Sequence, residues 1–367
     1  MSGAREPQRI LMTADTVGGV WTYSLELIRA LPHIEFALAT MGAPITAEQR
    51  AEASQLPNVQ LFPSSYALEW MDDPWQDVDR AGDWLLEIVR SFNPHVVHLN
   101  GYAHASLRWA APVLVVAHSD VLSWWAAVKK CEAPRGYSEY RKRVAEGLNA
   151  ADVVVAPTAA MLRSLGENFS WRGDGRAIWN GRDPQLFSSG IKRDVIFSAG
   201  RAWDEAKNLA ALEAAAPQVR WPIEIAGDTS HPNGAELQFK YVRALGKLPG
   251  HQLVERIATS AIYALPARYE PFGLSALEAA LSGCALVLGD VPSLREVWGD
   301  AARFVDADDH HALAAALNAL IDDVAERDKL ADRAQRRAAE FSPQRMAAGY
   351  NAAYSDCLTP RAVEMVP

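Results

Sequence analysis

The chain has 367 residues, 49% hydrophobic and 22% charged, with 45 acidic residues against 36 Lys and Arg for a formal net charge of −9. That length suggests two domains whose cores fold without metal or disulfide staples, and the composition excludes a disordered or collagen-like chain. The acidic balance excludes the dense cationic footprint of a general nucleic-acid binder, and three scattered cysteines, Cys131, Cys284 and Cys357, exclude a disulfide framework or zinc ribbon.

From the N-terminus, residues 1–9 lack the apolar segment of a secretory leader. The longest apolar stretch, 109–117, is interrupted by Pro112 and is too short to span a bilayer. The expectation is a soluble, cytoplasmic protein. No oligomeric state follows from the sequence.

Short runs rich in Val, Ile and Leu predict strands over 9–15, 35–41, 94–100, 112–119 and 152–158. A second series covers 194–200, 222–228, 261–267 and 284–290. Several runs are apolar throughout, as strands covered on both faces must be. Between them lie helical patterns such as 21–31, with apolar residues at 21, 25 and 28. Alternation of this kind predicts an α/β fold with parallel sheets. A turn-rich stretch, 180–190, separates the two series. From Asp308 an Ala-rich helix is predicted, capped by Asp308 or Asp309. Phe341-Ser342-Pro343 breaks it before a last helix over 344–357.

Many strands end in small or polar residues, among them Asp15, Asn100, His118, Gly200, Asp228 and Asp290. In parallel sheets the carboxyl ends of the strands form the ligand crevice. Gly18-Gly19 follows the first strand and opens the first helix, where bare N–H groups meet an anion. It is not the GxGxxG of a dinucleotide fold. Arg201 and Lys207 flank the loop after the sixth predicted strand, a guanidinium fork and a point charge suited to a diphosphate. After the eighth comes Glu270-Pro271-Phe272-Gly273-Leu274, with Glu278 in the following helix. Here two carboxylates and the free amides of a helix start bracket a polar ligand. The acidic and histidine cluster at 306–311 reads as a capped helix start rather than a metal site. The basic residues Lys129, Lys130, Arg135, Arg141, Lys142 and Arg143 read as a solvated helix face, with contact to an anionic membrane or acceptor as the other option.

The segment from Glu270 to Glu278 resembles the E-x7-E signature of retaining, nucleotide-sugar-dependent glycosyltransferases of the family-4 type. Gly18-Gly19 is similar to that family's phosphate loop, Asn180-Gly181-Arg182-Asp183 to its interdomain segment, and Gly200-Arg201 with Lys207-Asn208 to its phosphate clamp. His118 stands at a strand end where a His recurs. Where a glycine pair is usual, this chain has Val291-Pro292-Ser293-Leu294.

The resemblance implies a GT-B architecture: two Rossmann-like domains with parallel sheets facing across a cleft. The first would span 1–185, completed by 344–367, and the second 186–343. The first would shape the acceptor site and the second would bind the sugar nucleotide. By position, Glu278 would take the ribose. Glu270 with the amides of Phe272, Gly273 and Leu274 would take the donor sugar. Arg201, Lys207, Gly18 and Gly19 would take the diphosphate, and Leu248 would lie near the base. His118 would contact the donor sugar. Apart from the resemblance, Trp124 and Trp125 offer aromatic faces suited to a sugar or planar acceptor, and Trp21, a departure from the family pattern, would narrow the acceptor entrance. The implied reaction is hexosyl transfer from a nucleotide-sugar, with a UDP-sugar favoured, by front-face attack without metal or cofactor. The acceptor would be a sugar or small molecule. A disaccharide phosphorylase and a sugar-nucleotide epimerase are the alternatives on the same fold.

Overall fold

The computed structural model describes residues 8–229 and 237–359. Residues 1–7, and 360–367 at the end of the expected closing segment, lie outside the described residues. Seven parallel strands form one sheet: β1 (Arg9–Asp15), β2 (Glu35–Met41), β3 (Val59–Pro63), β4 (Val96–Leu99), β5 (Val113–Val116), β6 (Val153–Ala156) and β7 (Gly175–Ala177). Their spatial order is β3-β2-β1-β4-β5-β6-β7. Successive side chains of a strand leave on opposite faces, and both faces here are apolar. Ile10, Met12, Phe36 and Leu38 pack with helices Gly19–Ala30 and Pro343–Leu358. Leu11, Ala37 and Ala39 pack with helices Trp75–Phe92, Ser138–Ala150 and Ala159–Phe169. The last helix contributes Met346, Ala347, Tyr350, Ala353, Tyr354 and Cys357 to this core, the stripe that a 3.6-residue period dictates.

A second parallel sheet holds β8 (Arg193–Ala199), β9 (Ile223–Ala226), β10 (Arg243–Gly246), β11 (Ser260–Leu265), β12 (Ala285–Gly289) and β13 (Arg303–Val305), in the order β10-β9-β8-β11-β12-β13. The chain divides into two units. The first takes 8–122, 133–181 and 343–359, and the second 123–132 and 182–342. Residues 123–132, expected in the first domain, thus group with the second unit. Two ion pairs hold them there, Lys129 Nζ to Glu205 at 2.7 Å and Lys130 Nζ to Asp308 at 3.6 Å.

All nine strands expected from sequence are present. The four it omits, β3, β7, β10 and β13, are the four sheet edges. The helix expected from Asp308 onward is two helices, His310–Asp322 and Val324–Ala338. Asp309 caps the first by accepting from Ala312 N at 2.8 Å, and Asp323 caps the second by accepting from Glu326 N at 2.9 Å. Among the described residues no helix is long and apolar enough to cross a membrane.

In each sheet the strand order reverses direction once, between β1 and β4 in the first and between β8 and β11 in the second. At such a switch point the loops leaving adjacent strands part and open a crevice. Gly18 and Gly19 follow β1, Arg201 and Lys207 follow β8, and Glu270 to Glu278 follow β11, whereas His118 follows β5 and Leu248 follows β10.

Candidate active site

In the second unit, β8 delivers the loop 200–208 and β11 the loop 266–273, on either side of the switch point. Backbone hydrogen bonds tie the loops together: Arg268 N donates to Ala206 O at 2.9 Å. Asn208, buried and left-handed at φ 54°, donates through its amide to Pro266 O at 2.9 Å and Ala307 O at 2.6 Å. Asn is among the few residues that take this conformation readily, and its amide joins three chain segments here.

On this frame Lys207 Nζ donates to Glu270 Oε2 in a short ion pair, while Glu270 Oε1 accepts from Gly273 N at 3.1 Å. Gly273 adopts φ 90°, which lets the chain turn into helix Leu274–Leu281. Its N–H, expected to face a ligand, is taken by Glu270. Phe272 is buried with its ring edge-on to Phe341, 5.7 Å away. Arg201 Nη2 donates to Asp204 Oδ2 at 2.8 Å, and Asp204 Oδ1 accepts from Ala206 N at 3.0 Å. Burial pushes the Asp204 carboxyl up, but Arg201, Lys207 and the Ala206 amide outweigh it and hold it below the usual range. One turn into the helix, Glu278 pairs with Arg182 Nε at 3.0 Å.

The loop after β12, which departs from the family pattern, is the start of helix Pro292–Trp298. There Ser293 Oγ donates to the Glu270 carbonyl. Leu248 lies just past the edge strand β10, partly buried.

Trp124 and Trp125, in the segment grouped with this unit, are partly exposed and meet edge-to-face at 5.8 Å. Trp124 Nε1 donates to Asp204 Oδ1 at 3.4 Å, so the aromatic pair shares an anchor with Arg201. The 306–311 cluster is taken up structurally: Asp309 caps a helix, Asp308 accepts from Arg268 Nε at 2.7 Å, and His311 meets Gln218 at 3.0 Å. The basic stretch is largely paired inside the protein as well. Lys129 and Lys130 meet Glu205 and Asp308, and Arg143 meets Asp79 and Glu139.

In the first unit, Gly18 is exposed at φ 104° and Gly19 begins helix Gly19–Ala30. Asp15 Oδ1 accepts from Val17 N at 2.6 Å, bending the chain into that turn. Trp21 is a core residue, 5% exposed, with its indole N–H on Glu52 at 2.7 Å. A ring packed in this way offers no face to an acceptor.

His118 leaves β5 and contacts Asn100 Oδ1 through Nε2 at 2.8 Å, with the Tyr23 ring edge-on at 4.6 Å. Some of its surface reaches solvent, yet its ring is enclosed enough for burial to pull its pKa down to about 3. Beneath it His98, fully buried, stacks on Tyr350 at 5.5 Å. Burial and the neighbouring His118 pull its pKa to about 3 as well. Sequence reading missed His98, which sits inside an apolar strand, and Asp204. It named Asn208 with the clamp and Arg182 with the interdomain segment, but not the bonds through which they act.

Residues 17–186 match the family Glycosyltransferase Family 4, and residues 193–323 match Glycosyl transferases group 1. The chain is 25% identical over 353 residues to alpha-maltose-1-phosphate synthase of Mycolicibacterium smegmatis, covering 84% of this chain and 87% of that protein. It is 26% identical over 288 residues to D-inositol 3-phosphate glycosyltransferase of Corynebacterium glutamicum, covering 68% of each. Sucrose-phosphate synthase from Thermosynechococcus elongatus superposes with a TM-score of 0.78 at 17% identity, over 95% of this chain and 98% of that one. Anabaena HepE in complex with UDP-glucose superposes with a TM-score of 0.74 at 16% identity, over 94% and 98%.

Proposed function

The chain belongs to the nucleotide-sugar-dependent glycosyltransferases of family 4, with the GT-B fold, and on that premise we propose that it moves a hexosyl unit to an acceptor hydroxyl with retention of anomeric configuration. The acceptor is a sugar or small molecule. The observation that carries this reading is the Glu270 carboxylate, held between Lys207 and the Gly273 amide where the loops after β8 and β11 meet.

As the bond from anomeric carbon to phosphate breaks, negative charge grows on the leaving diphosphate. Arg201 and Lys207 stabilise that charge most where it is largest, in the transition state. Both cations already hold a carboxylate, Asp204 and Glu270, so an incoming diphosphate exchanges partners rather than meeting bare charge. Lys207 turning to phosphate frees Glu270 Oε2 to accept from a sugar hydroxyl.

Glu270 accepts on both oxygens, from Lys207 and from the Gly273 amide, which fits a positioning role. The acceptor hydroxyl attacks from the leaving-group side and a phosphate oxygen takes its proton, so no protein nucleophile is needed. This contrasts with the paired carboxylates of a glycosidase. The reading needs neither metal nor cofactor, because the two cations neutralise the diphosphate. Glu278 is assigned to the ribose, Leu248 to the base, Phe272 and Leu274 to the donor, Gly18 and Gly19 to the diphosphate, and His118 to the donor sugar. Trp124 and Trp125 are assigned to the acceptor, and buried Trp21 is not.

A melting panel with UDP, GDP, ADP and inorganic phosphate tests this. UDP is the first choice, as the nucleotide of the HepE ligand. A ligand at about a hundredfold its dissociation constant adds about 2.7 kcal/mol and raises the melting midpoint by several degrees. The expected result is a selective shift with one nucleoside diphosphate. A shift with phosphate and none with the nucleotides would replace this reading with a phosphorylase.

A further inference from the structure

A polar chain runs through the core of the first unit next to His118, and its donors and acceptors can be assigned. The Thr13 carbonyl only accepts, so the Asn100 amide nitrogen, 2.6 Å away, donates to it. That fixes the amide: Oδ1 faces His118 Nε2 at 2.8 Å and His98 Nε2 at 3.3 Å. Because the oxygen can only accept, His118 Nε2 carries the hydrogen, while His98 Nε2 lies 3.3 Å from both that oxygen and the Tyr23 hydroxyl. Asn100 N donates to Thr13 Oγ1 at 2.8 Å, a second hold on the same residue. His98 Nδ1 shares a hydrogen bond with the Tyr354 hydroxyl at 2.7 Å. His118 Nδ1 is left as a lone pair, and no described residue donates to it.

The titratable groups packed on the two rings are Tyr23 from helix Gly19–Ala30 and Tyr350 and Tyr354 from helix Pro343–Leu358. Burial raises all three hydroxyls, so none is charged at neutral pH.

We propose that Asn100, braced by His98 and Tyr354, is a positioning residue that locks His118 in its Nε2–H tautomer and so offers the donor sugar a pure hydrogen-bond acceptor. This rests on the assignment of His118 to the donor sugar. A lone pair accepts from a hydroxyl and repels a carboxylate, so a hexosyl donor whose C6 hydroxyl meets Nδ1 is selected over a hexuronosyl donor with a carboxylate in that place. A site built to bond a hydroxyl discriminates strongly against a group that cannot donate. Burial keeps a second proton off both histidines at neutral pH.

Asn100→Asp tests this by replacing the fixed amide with a carboxylate that stabilises an imidazolium. In the unmutated enzyme, nitrogen NMR of the histidine side chains should show His118 neutral and protonated on Nε2 between about pH 5 and 8. In Asn100→Asp, His118 should titrate within that range. The kcat with UDP-glucose, or with the glucosyl donor on the nucleotide the melting panel selects, should fall about tenfold at pH 6 and recover as pH rises. The preference over the matching glucuronosyl donor should shrink with it. A proton on Nδ1 in the unmutated enzyme, or an unchanged pH profile and donor preference in Asn100→Asp, overturns the proposal. Should the variant not fold, the unmutated enzyme still decides: equal use of the two donors overturns it. His118→Ala separates the two layers, since turnover that survives it removes the sugar contact whatever tautomer the NMR shows.

Discussion

At its switch point the second unit pairs Lys207 with Glu270 and Arg201 with Asp204, and the next helix adds Glu278 with Arg182. At the corresponding point the first unit places two neutral histidines, an amide and three tyrosines, joined by hydrogen bonds and ring contacts. The topology is the same and the chemistry is opposite. Ion pairs can trade partners with a charged ligand, because the anion that leaves a cation is replaced by another. A neutral chain cannot trade in this way. It holds direction instead, fixing which atom of a ring donates and which accepts. The ion pairs suit the leaving diphosphate, where negative charge grows during reaction, and the neutral chain suits the uncharged hydroxyls of a sugar.

The largest break in this comparison should come from Glu270→Ala, which removes a group that touches Lys207, the Gly273 amide and the proposed sugar. Loss of a charged hydrogen-bond partner costs up to about 3 kcal/mol, so turnover should fall about a hundredfold. Lys207→Ala should lower it by about tenfold or more. Because the two share one bond, the double variant should lose less than the product of the single losses. Turnover numbers at saturating donor, with melting curves to confirm folding, check this; a double loss equal to the product would mean that the pair acts as two independent groups.

A smaller effect is expected from Glu278→Ala. Its partner is Arg182 rather than a residue of the clamp, so affinity for the free nucleotide should weaken by about tenfold with kcat little changed. Calorimetric titration decides it, and an unchanged affinity would remove the ribose assignment.

The same contrast explains what could be read from the chain. Every inner strand was legible, because a strand with neighbours on both sides and helices over both faces must be apolar throughout. The four edges were not: β3 is half-exposed along its length, and Arg176 of β7 and Arg243 of β10 face solvent. With one neighbour and one wet side, they need no apolar run. The helix break at Asp323 carried a signal, Asp323 three residues before Glu326, which the Ala-rich pattern around it masked. Site residues on strand-end loops were legible by type, since Arg, Lys and Glu beside Gly stand out. Their partners were not. Tyr354 reaches His98 across 256 residues, and Lys129 reaches Glu205 across 76, so only the folded chain brings them together.

The smallest effect separates the units by acid. A histidine kept neutral by burial has a folded pKa below its unfolded value of about 6.5, so the unfolded state binds the proton first. Stability is therefore lost as pH falls from about 6.5 toward the folded pKa of about 3. The described histidines so depressed, His98, His104 and His118, all belong to the first unit. Asp204 in the second unit has a depressed carboxyl, and its contribution persists until pH drops below about 3.9. Between pH 7 and 6, His98 alone should cost the first unit about 0.7 kcal/mol, or about 2 °C in its melting midpoint. Glu69, raised by burial, acts in the opposite sense, so the clean comparison is with His98→Gln, which cannot titrate. Calorimetry at pH 7 and 6 should show the transition of the first unit moving down in the native protein and moving less in the variant, with that of the second unit nearly still. A first transition equally pH-sensitive with and without His98 would mean that this imidazole is not held neutral, and the acceptor assigned to His118 would lose its brace.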